Sequence, residues 1–138
     1  MKVLLDTSVV LRALFGETGR LQEWAEIQDA FGSRLLPLEM GRVIDRVRLA
    51  GEIDDVEVEQ LHREGRRLLR SIEVIGLSEE ILMRAQGPMP TSLGTLDSVH
   101  LATALELSKT RVAGIVLATH DTQLARAARS LGLDVIGA

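Results

Sequence analysis

Four acidic side chains, spread over most of the sequence, stand where a carboxylate could take part in chemistry: Asp6, Glu39, Asp97 and Asp121. If the fold brings them together, their repulsion must raise their pKa values or be balanced by a cation. The hard ions Mg²⁺ and Mn²⁺ prefer oxygen ligands of this kind. Such ions can activate water and stabilise charge on a phosphate, so a converged cluster predicts hydrolysis of a phosphodiester.

Asp6 and Asp121 each come at the end of a predicted strand. Asp6 follows the apolar run Val3–Leu5, and Asp121 comes shortly after the run Ile115–Ala118. In open parallel sheets ligands gather at the carboxyl ends of the strands, where an unpaired carboxylate is costly to bury. Each aspartate also precedes a predicted helix, so capping that helix is an alternative role for each one taken alone.

Asp97 lies at the start of a segment with helical spacing. Thr95 is the predicted cap, which places Asp97 in the first turn, where the helix dipole favours an anion. The rest of the segment is rich in small and apolar residues, which indicates a buried helix, and a buried helix rarely carries an idle carboxylate. The alternative is a surface aspartate that only complements the dipole.

Glu39 lies just inside a helix that Pro37 is predicted to open. It shares a helix face with Arg42 and Arg46. A surface ion pair worth only about 0.2–0.5 kcal/mol is therefore the alternative, and it is favoured if Glu39 is taken alone.

Hydroxyl and imidazole groups accompany the acids. Ser8 and Thr119 are candidates for positioning a carboxylate or a water, and Thr7 is a further hydroxyl beside Asp6. His100 stands one helical turn after Asp97, where a packed histidine is favoured over a metal ligand. The other two histidines, His62 and His120, are expected to be solvated.

The elements that must position these residues alternate between strands and helices. Continuous apolar runs predict buried parallel strands at Val3–Leu5, Ser33–Leu36, Ile72–Ile75, Ile115–Ala118 and Val135–Ile136. A helix capped by Asp54 or Asp55 is predicted to run toward Arg70, and Gly132 suits a left-handed helix end. We therefore expect an α/β fold, a central and mostly parallel five-stranded sheet with helices on both faces.

The composition fits one globular domain over residues 1–138. With no cysteine, disulfides and thiolate metal sites are excluded. The net charge of −4 and the single tryptophan and two phenylalanines argue against a protein that coats nucleic acid. The first residues reach Asp6 too early for a signal peptide and no apolar run approaches a membrane span, so a cytoplasmic location is expected.

Several segments resemble the motifs of PIN-domain nucleases, especially the VapC-type toxins of toxin–antitoxin pairs. The segment from Val3 to Val10 resembles the family's opening, and that from Leu96 to Ala104 looks like its third acidic motif. The segment from Ala118 to Ala125 is similar to its fourth motif, and Glu39 falls where the family keeps its second acid. The motifs occur in the right order over essentially the whole chain.

The resemblance implies an endoribonuclease that requires Mg²⁺ or Mn²⁺ and cuts single-stranded or looped RNA, often tRNA or ribosomal RNA. It also implies a homodimer and a cognate antitoxin whose tail enters the acidic groove. Asp6, Asp97 and Asp121 would hold the metal, and Glu39 would help to bind it or orient the attacking water. For a basic patch on one predicted helix, a solvated face is favoured over contact with RNA or a partner: Arg63, Arg66, Arg67 and Arg70.

Two other classes of protein are weighed against this interpretation. A receiver domain and a haloacid-dehalogenase phosphatase also place an aspartate after the first strand. The phosphatase needs a second aspartate two residues later, where this chain has Ser8. A receiver needs an earlier acidic pair and a late lysine, and the only lysines are Lys2 and Lys109. A catalytically silent PIN-like domain that binds protein is the non-enzymatic alternative, although all four acids are present.

Overall fold

The computed structural model describes residues 1–138, in which strands and helices alternate along the chain. The strands are β1 (Lys2–Leu5), β2 (Asp29–Ser33), β3 (Ile72–Ile75), β4 (Val116–Ala118) and β5 (Asp134–Ile136). The helices are α1 (Thr7–Leu14), α2 (Leu35–Leu49), α3 (Asp55–Arg70), α4 (Glu79–Ala85), α5 (Thr95–Thr110) and α6 (Thr122–Ser130). A short 3₁₀ helix, Gln22–Glu26, lies between α1 and β2.

The strands form one five-stranded sheet in the order β3-β2-β1-β4-β5, and every neighbouring pair is parallel. The chain moves outward from β1 on one side through β2 and β3, and then returns to the other side of β1 with β4. The strand order thus reverses between β1 and β4, the place where open α/β sheets form their binding crevice. A receiver domain has the order 2-1-3-4-5, so this topology excludes it.

Both faces of the sheet are covered, as expected for buried parallel strands. Val3 and Leu5 of β1 belong to a core formed with α1 and α2, whereas Leu4 between them belongs to a core formed with α5 and α6. Because successive side chains of a strand point to opposite faces, these two cores lie on opposite sides of the sheet. The expected α/β fold is confirmed.

The second strand was predicted wrongly as Ser33–Leu36. The structure places β2 at Asp29–Ser33, and Leu35 and Leu36 already belong to α2. A short apolar run does not distinguish a strand from the first turn of a buried helix, and Leu36 is fully buried from that helix. The strand itself has only one large apolar residue, Phe31.

Most helix boundaries agree with the predictions, and two differ by a residue or two. Asp54 caps α3 with a complete capping box, and Gly132 has a φ of +85° after α6. Helix α2 begins before Pro37, which lies in its first turn, and Gly94 rather than Thr95 is the cap residue of α5. No helix combines the length and the apolar character needed to cross a bilayer.

Candidate active site

The carboxyl ends of β1 and β4 lie side by side and bring the two ends of the chain together. The Asp6 amide continues the sheet by donating to the carbonyl of Ala118 at 2.9 Å. Because β1 ends at Leu5 and β4 at Ala118, Asp6 and Thr119 leave neighbouring strands at the same edge. The predicted strand-end placement of Asp6 and Asp121 is therefore seen in the fold.

Asp6 is buried, only 4% exposed, although it carries an ionisable carboxylate. It occupies the cap position of α1, but its side chain makes no capping hydrogen bond, so the capping alternative is wrong for this residue. Instead Oδ2 accepts hydrogen bonds from Ser8 Oγ at 2.5 Å and from Thr119 Oγ1 at 2.9 Å. The carboxylate is thus oriented by two hydroxyls, and Oδ1 receives no hydrogen bond.

Thr119 connects the first aspartate to the last one. Its buried hydroxyl donates to Asp6 and accepts from the Asp121 amide at 3.0 Å. Asp121 caps α6, with Oδ1 accepting from the Leu124 amide at 2.8 Å, so its predicted capping role is correct. Since capping uses Oδ1 alone, Oδ2 of Asp121 carries no hydrogen bond within the protein.

Glu39 reaches the same edge of the sheet from α2. Its Oε1 accepts from Thr7 Oγ1 at 2.9 Å and lies 2.5 Å from Nε2 of His100. The surface pair predicted between Glu39 and the arginines on its face is absent, and Arg42 pairs with Asp45. Glu39 is held inward, and its Oε2 receives no hydrogen bond.

His100 is the residue that sequence reasoning undervalued. It is a packed helix residue, as predicted, with no exposed surface, but it is also hydrogen-bonded within the acidic cluster. Its Nε2 lies 3.9 Å from Oδ1 of Asp6 and 3.2 Å from Thr7 Oγ1. The available signal was its position one turn after Asp97 on a buried helix, which fits a ligand, a partner of an acid and a packed residue equally well.

The pKa values of Glu39 and His100 shift in opposite directions. Burial acts to raise the pKa of Glu39, but the His100 hydrogen bond and positive charge, with the Thr7 bond, lower it below 4.5. Burial acts to lower the pKa of His100, but the Glu39 hydrogen bond and the charges of Asp6, Glu39 and Asp97 raise it above 6.5. Both shifts therefore favour a positive imidazole beside a negative carboxylate.

Asp97 shows that all four acids lie near one another. Burial raises its pKa above 3.8, and the negative charges of Asp6, Asp121 and Glu39 raise it further, against an opposing effect of His100. Asp97 lies in the first turn of α5, as predicted, and this helix is mostly buried. Its carboxylate receives no hydrogen bond, so the repulsion on it is only partly balanced by one imidazole.

Each acid keeps at least one oxygen without a hydrogen-bond partner in the protein. These free oxygens are Oδ1 of Asp6, Oε2 of Glu39, Oδ2 of Asp121 and both oxygens of Asp97. No three of the side chains form a closed set of ligands as they are placed. The carboxylates lie close enough to repel one another, but a tight ligand shell requires them to move inward.

The other histidines give one confirmation and one correction. His62 is exposed, as expected. His120 is not simply solvated, because Nδ1 lies 2.9 Å from the Gly137 carbonyl and Nε2 is buried without a partner. Its backbone amide donates to Ser8 Oγ at 3.1 Å, so the segment after β4 is tied to both β5 and α1.

Residues 3–130 match the model of the PIN domain family. This match covers most of the chain, and the chain belongs to that family. Ribonuclease VapC47 of Mycobacterium tuberculosis (strain CDC 1551 / Oshkosh) is 28% identical over 137 residues, covering 94% of this chain and 92% of that protein.

Solved structures agree with this fold at low sequence identity. FitAcB from Neisseria gonorrhoeae superposes with a TM-score of 0.70 at 19% identity, over 97% of this chain and 96% of that one. VapBC2 from Rickettsia felis, bound to a DNA fragment from its promoter, gives 0.66 at 15% identity, over 98% and 97%. These likenesses establish the PIN-like α/β architecture.

Proposed function

We propose that this protein is a metal-dependent endoribonuclease, the toxin of a toxin–antitoxin pair, with Asp6, Glu39, Asp97 and Asp121 as its site residues. The observation that carries the proposal is the hydrogen-bonded meeting of acids from separate elements at one sheet edge: Thr119 joins Asp6 to Asp121, and Thr7 and His100 hold Glu39 beside them. Asp97 is near enough for these carboxylates to raise its pKa. Membership of the PIN family and the similarity to a protein named a ribonuclease support the same reaction.

The donor set fits a hard divalent cation. Oxygen atoms of carboxylates are the ligands preferred by Mg²⁺ and Mn²⁺, and the cluster offers a free oxygen on every acid. Asp6, Asp97 and Asp121 would hold the metal, with Glu39 as a further ligand. We propose Mg²⁺ or Mn²⁺ as the cofactor, which when bound activates water and stabilises charge on the scissile phosphate.

The protein's own residues prepare this site before RNA arrives. Ser8 and Thr119 fix the Asp6 carboxylate, so that its free Oδ1 is already oriented. His100 and Thr7 fix Oε1 of Glu39, which leaves Oε2 to bind a metal or to orient the attacking water. Burial of Asp6 strengthens these electrostatic interactions because little solvent screens them.

Partners follow from the same proposal. The substrate would be single-stranded or looped RNA, with tRNA or ribosomal RNA as the expected targets, and the active form would be a homodimer. A cognate antitoxin would block the acidic groove. A short upstream reading frame that encodes a DNA-binding protein is the genetic arrangement that we expect.

Cleavage of RNA with Mn²⁺ tests the proposed function directly. The wild-type protein should cut a structured RNA, EDTA should abolish cleavage, and Asp6→Asn and Asp97→Asn should each lower the rate by about 10²-fold or more, because each removes a metal-binding charge. Fragments are resolved on a denaturing gel, and metal affinity is measured separately by isothermal titration calorimetry.

The exposed Asp29 at the opposite edge of the sheet provides the matched control. Asp29→Asn should cleave at the wild-type rate. Cleavage and metal affinity that survive Asp97→Asn unchanged would contradict the site, and a wild-type protein that binds RNA without cutting it would support the silent alternative.

A further inference from the structure

His100 is a fully buried imidazole that joins three elements of the fold. It has no exposed surface, and it lies on α5 among residues that are mostly small or apolar. Its Nε2 atom lies 2.5 Å from Oε1 of Glu39 on α2 and 3.2 Å from Oγ1 of Thr7 on α1. Burying a polar ring costs free energy that an apolar side chain would not cost, so packing alone does not account for a histidine here.

The contacts of Glu39 determine which ring nitrogen of His100 carries a hydrogen. A carboxylate oxygen can only accept hydrogen bonds, and Thr7 already donates its hydroxyl hydrogen to Oε1 of Glu39. The contact between Nε2 of His100 and the same oxygen is therefore a hydrogen bond only if Nε2 carries a hydrogen. This holds whether the ring is neutral or charged.

The other ring nitrogen, Nδ1, is buried and has no hydrogen-bond partner. Buried polar atoms in native proteins are nearly always satisfied, and an exception calls for a specific explanation. All the polar contacts of His100 are made through Nε2, on the side of the ring that faces Thr7 and Glu39. The fold thus keeps the Nε2 contact and leaves Nδ1 unpaired.

Glu39 has an outward alternative that the structure does not use. It lies three residues before Arg42, an exposed residue on the same helix, and this spacing permits a surface ion pair in contact with water. Its side chain instead turns inward and is only 21% exposed. Inward, its negative charge acts against that of Asp97, so the donors that meet it there must offset both the repulsion and the lost solvent.

We propose that His100 is a positioning residue that selects the inward orientation of Glu39 by donating a hydrogen from Nε2, and so leaves Oε2 of Glu39 to face the acidic cluster. This inference rests on the proposed ribonuclease function and deepens it, because it gives a role in the reaction to a ring too deeply buried to touch RNA. Partners that orient the residues of a metal site commonly act in this way.

Nuclear magnetic resonance of the metal-free, ¹⁵N-labelled protein tests the hydrogen directly. The chain has three histidines, so the ring signals can be assigned by substitution. We expect a hydrogen on Nε2 of His100, with its proton resonance far downfield because the acceptor is charged and close. Glu39→Gln should move this resonance upfield, since a neutral amide oxygen is a weaker acceptor. A ring with its hydrogen on Nδ1 and none on Nε2 would overturn the proposal.

Two amide substitutions separate the donor from the bulk of the ring. Glutamine places an N–H group near the position of Nε2, whereas asparagine places one near that of Nδ1, where the structure offers no partner. His100→Asn should lower kcat for RNA cleavage by about 10- to 100-fold and leave KM unchanged, because His100 orients a site residue and does not contact RNA. His100→Gln should keep roughly tenfold more activity than His100→Asn.

Thr103→Val is the matched control. Thr103 is as fully buried as His100 and lies on the same helix, but its hydroxyl donates only to the Val99 carbonyl of that helix. This variant should cleave at the wild-type rate per folded molecule, with folding followed by circular dichroism.

Equal loss of activity in folded His100→Gln and His100→Asn would overturn the proposal, and so would a raised KM with kcat unchanged. If neither amide variant folds, the resonance of the wild-type ring decides. Cleavage by a wild-type protein that lacks the Nε2 hydrogen would overturn only this inference. A protein that has the hydrogen but cuts no RNA would overturn the proposed function, and with it the role of His100 in the reaction.

Discussion

At the scale of single residues, hydrogen bonds hold the acidic cluster in place although its negative charges repel one another. Asp97 has a raised pKa because it is partly buried near three other carboxylates. No hydrogen bond compensates it, unlike Asp6, whose Oδ2 accepts from two hydroxyls. Asp97 is thus the carboxylate whose charge most destabilises the metal-free protein.

Replacing Asp97 with asparagine should therefore stabilise the metal-free protein while it removes metal binding. At pH 8 in EDTA we expect Asp97→Asn to raise the melting temperature by roughly 2 to 5 °C, since a neutral side chain of the same shape removes the repulsion. Thermal unfolding followed by circular dichroism measures the change. Asp29→Asn, at an exposed position, should melt as the wild type does. A lower melting temperature for Asp97→Asn would contradict the charge argument.

Residue types and spacing predicted that Asp6 and Asp121 lie at strand ends and Asp97 at a helix start, whereas the grouping of all four acids rested on the resemblance to PIN-domain nucleases. Neither predicted how the acids are held. Asp6 and Asp121 follow apolar runs, and Asp97 begins a buried helix, so their placement follows from strand ends and helix starts. The roles of Thr7 and His100 depend on where α1 and α5 cross the sheet edge, which a sequence pattern does not contain. Thr7 directly follows Asp6 in the sequence, but its hydroxyl bonds Glu39.

At the scale of elements, the end of the short strand β5 packs against the segment that follows β4. Gly137, just after β5, has a φ of +90°, and a Cβ atom there would lie 2.7 Å from the Thr119 carbonyl. Thr119 in turn bridges Asp6 and Asp121. The absence of a side chain at Gly137 therefore lets the end of β5 pack against the residue that organises two of the acids.

Two glycines with similar φ values allow the effect of backbone strain to be measured apart from that of a steric clash. Gly137→Ala should destabilise the protein by the left-handed strain of about 1–2 kcal/mol and by the clash as well, and it should lower cleavage by displacing Thr119. Gly132→Ala has a φ of +85° but nothing within 4 Å, so it should show the strain alone and keep full activity per folded molecule. Urea unfolding and the RNA cleavage rate measure both effects, and equal activity loss in the two variants would contradict this assignment.

The wrong prediction of β2 shows that tertiary contacts, which a short stretch of sequence does not reveal, can determine where a strand forms. Asp29–Ser33 has one large apolar residue, and its Gly32 lies against Leu36, whose Cδ2 would be 2.7 Å from an added Cβ. That strand forms because it fits between β1 and β3, a tertiary reason. The apolar character that marked the region belongs to the first turn of α2. Strands β1, β3, β4 and β5, with more apolar runs, were predicted to within a residue.

At the scale of the whole molecule, stability depends on pH and on metal together. The folded protein holds protons on Asp97 and His100 more tightly than the unfolded chain, because both pKa values are raised. The stability that His100 contributes is fully present below pH 6.5 and is lost as pH rises through its raised pKa. The stability that Asp97 contributes is likewise fully present below pH 3.8 and is lost as the pH rises through its raised pKa. The lowered pKa of Glu39 has the opposite effect on stability, because its contribution is lost as the pH falls below 4.5.

The metal-free protein should consequently lose stability as the pH rises above 6.5, and Mg²⁺ should restore it there. At a metal concentration one hundred times Kd, the added stability is about 2.7 kcal/mol. Urea unfolding at several pH values, with EDTA or with Mg²⁺, measures both trends. Stability in EDTA that increases over this range, or no response to metal at pH 8, would contradict the cluster as a cation site.

The hydrogen bond from Thr119 to Asp6 joins positions 113 residues apart and so relates the site to the order of synthesis. While a ribosome extends the chain, Asp6 is made first and waits through three crossovers before β4 can dock beside it. A nascent or truncated chain that stops short of β4 lacks Asp121 and the hydroxyl bridge to it. The proposed site is therefore incomplete in a growing chain until nearly its last element has been made.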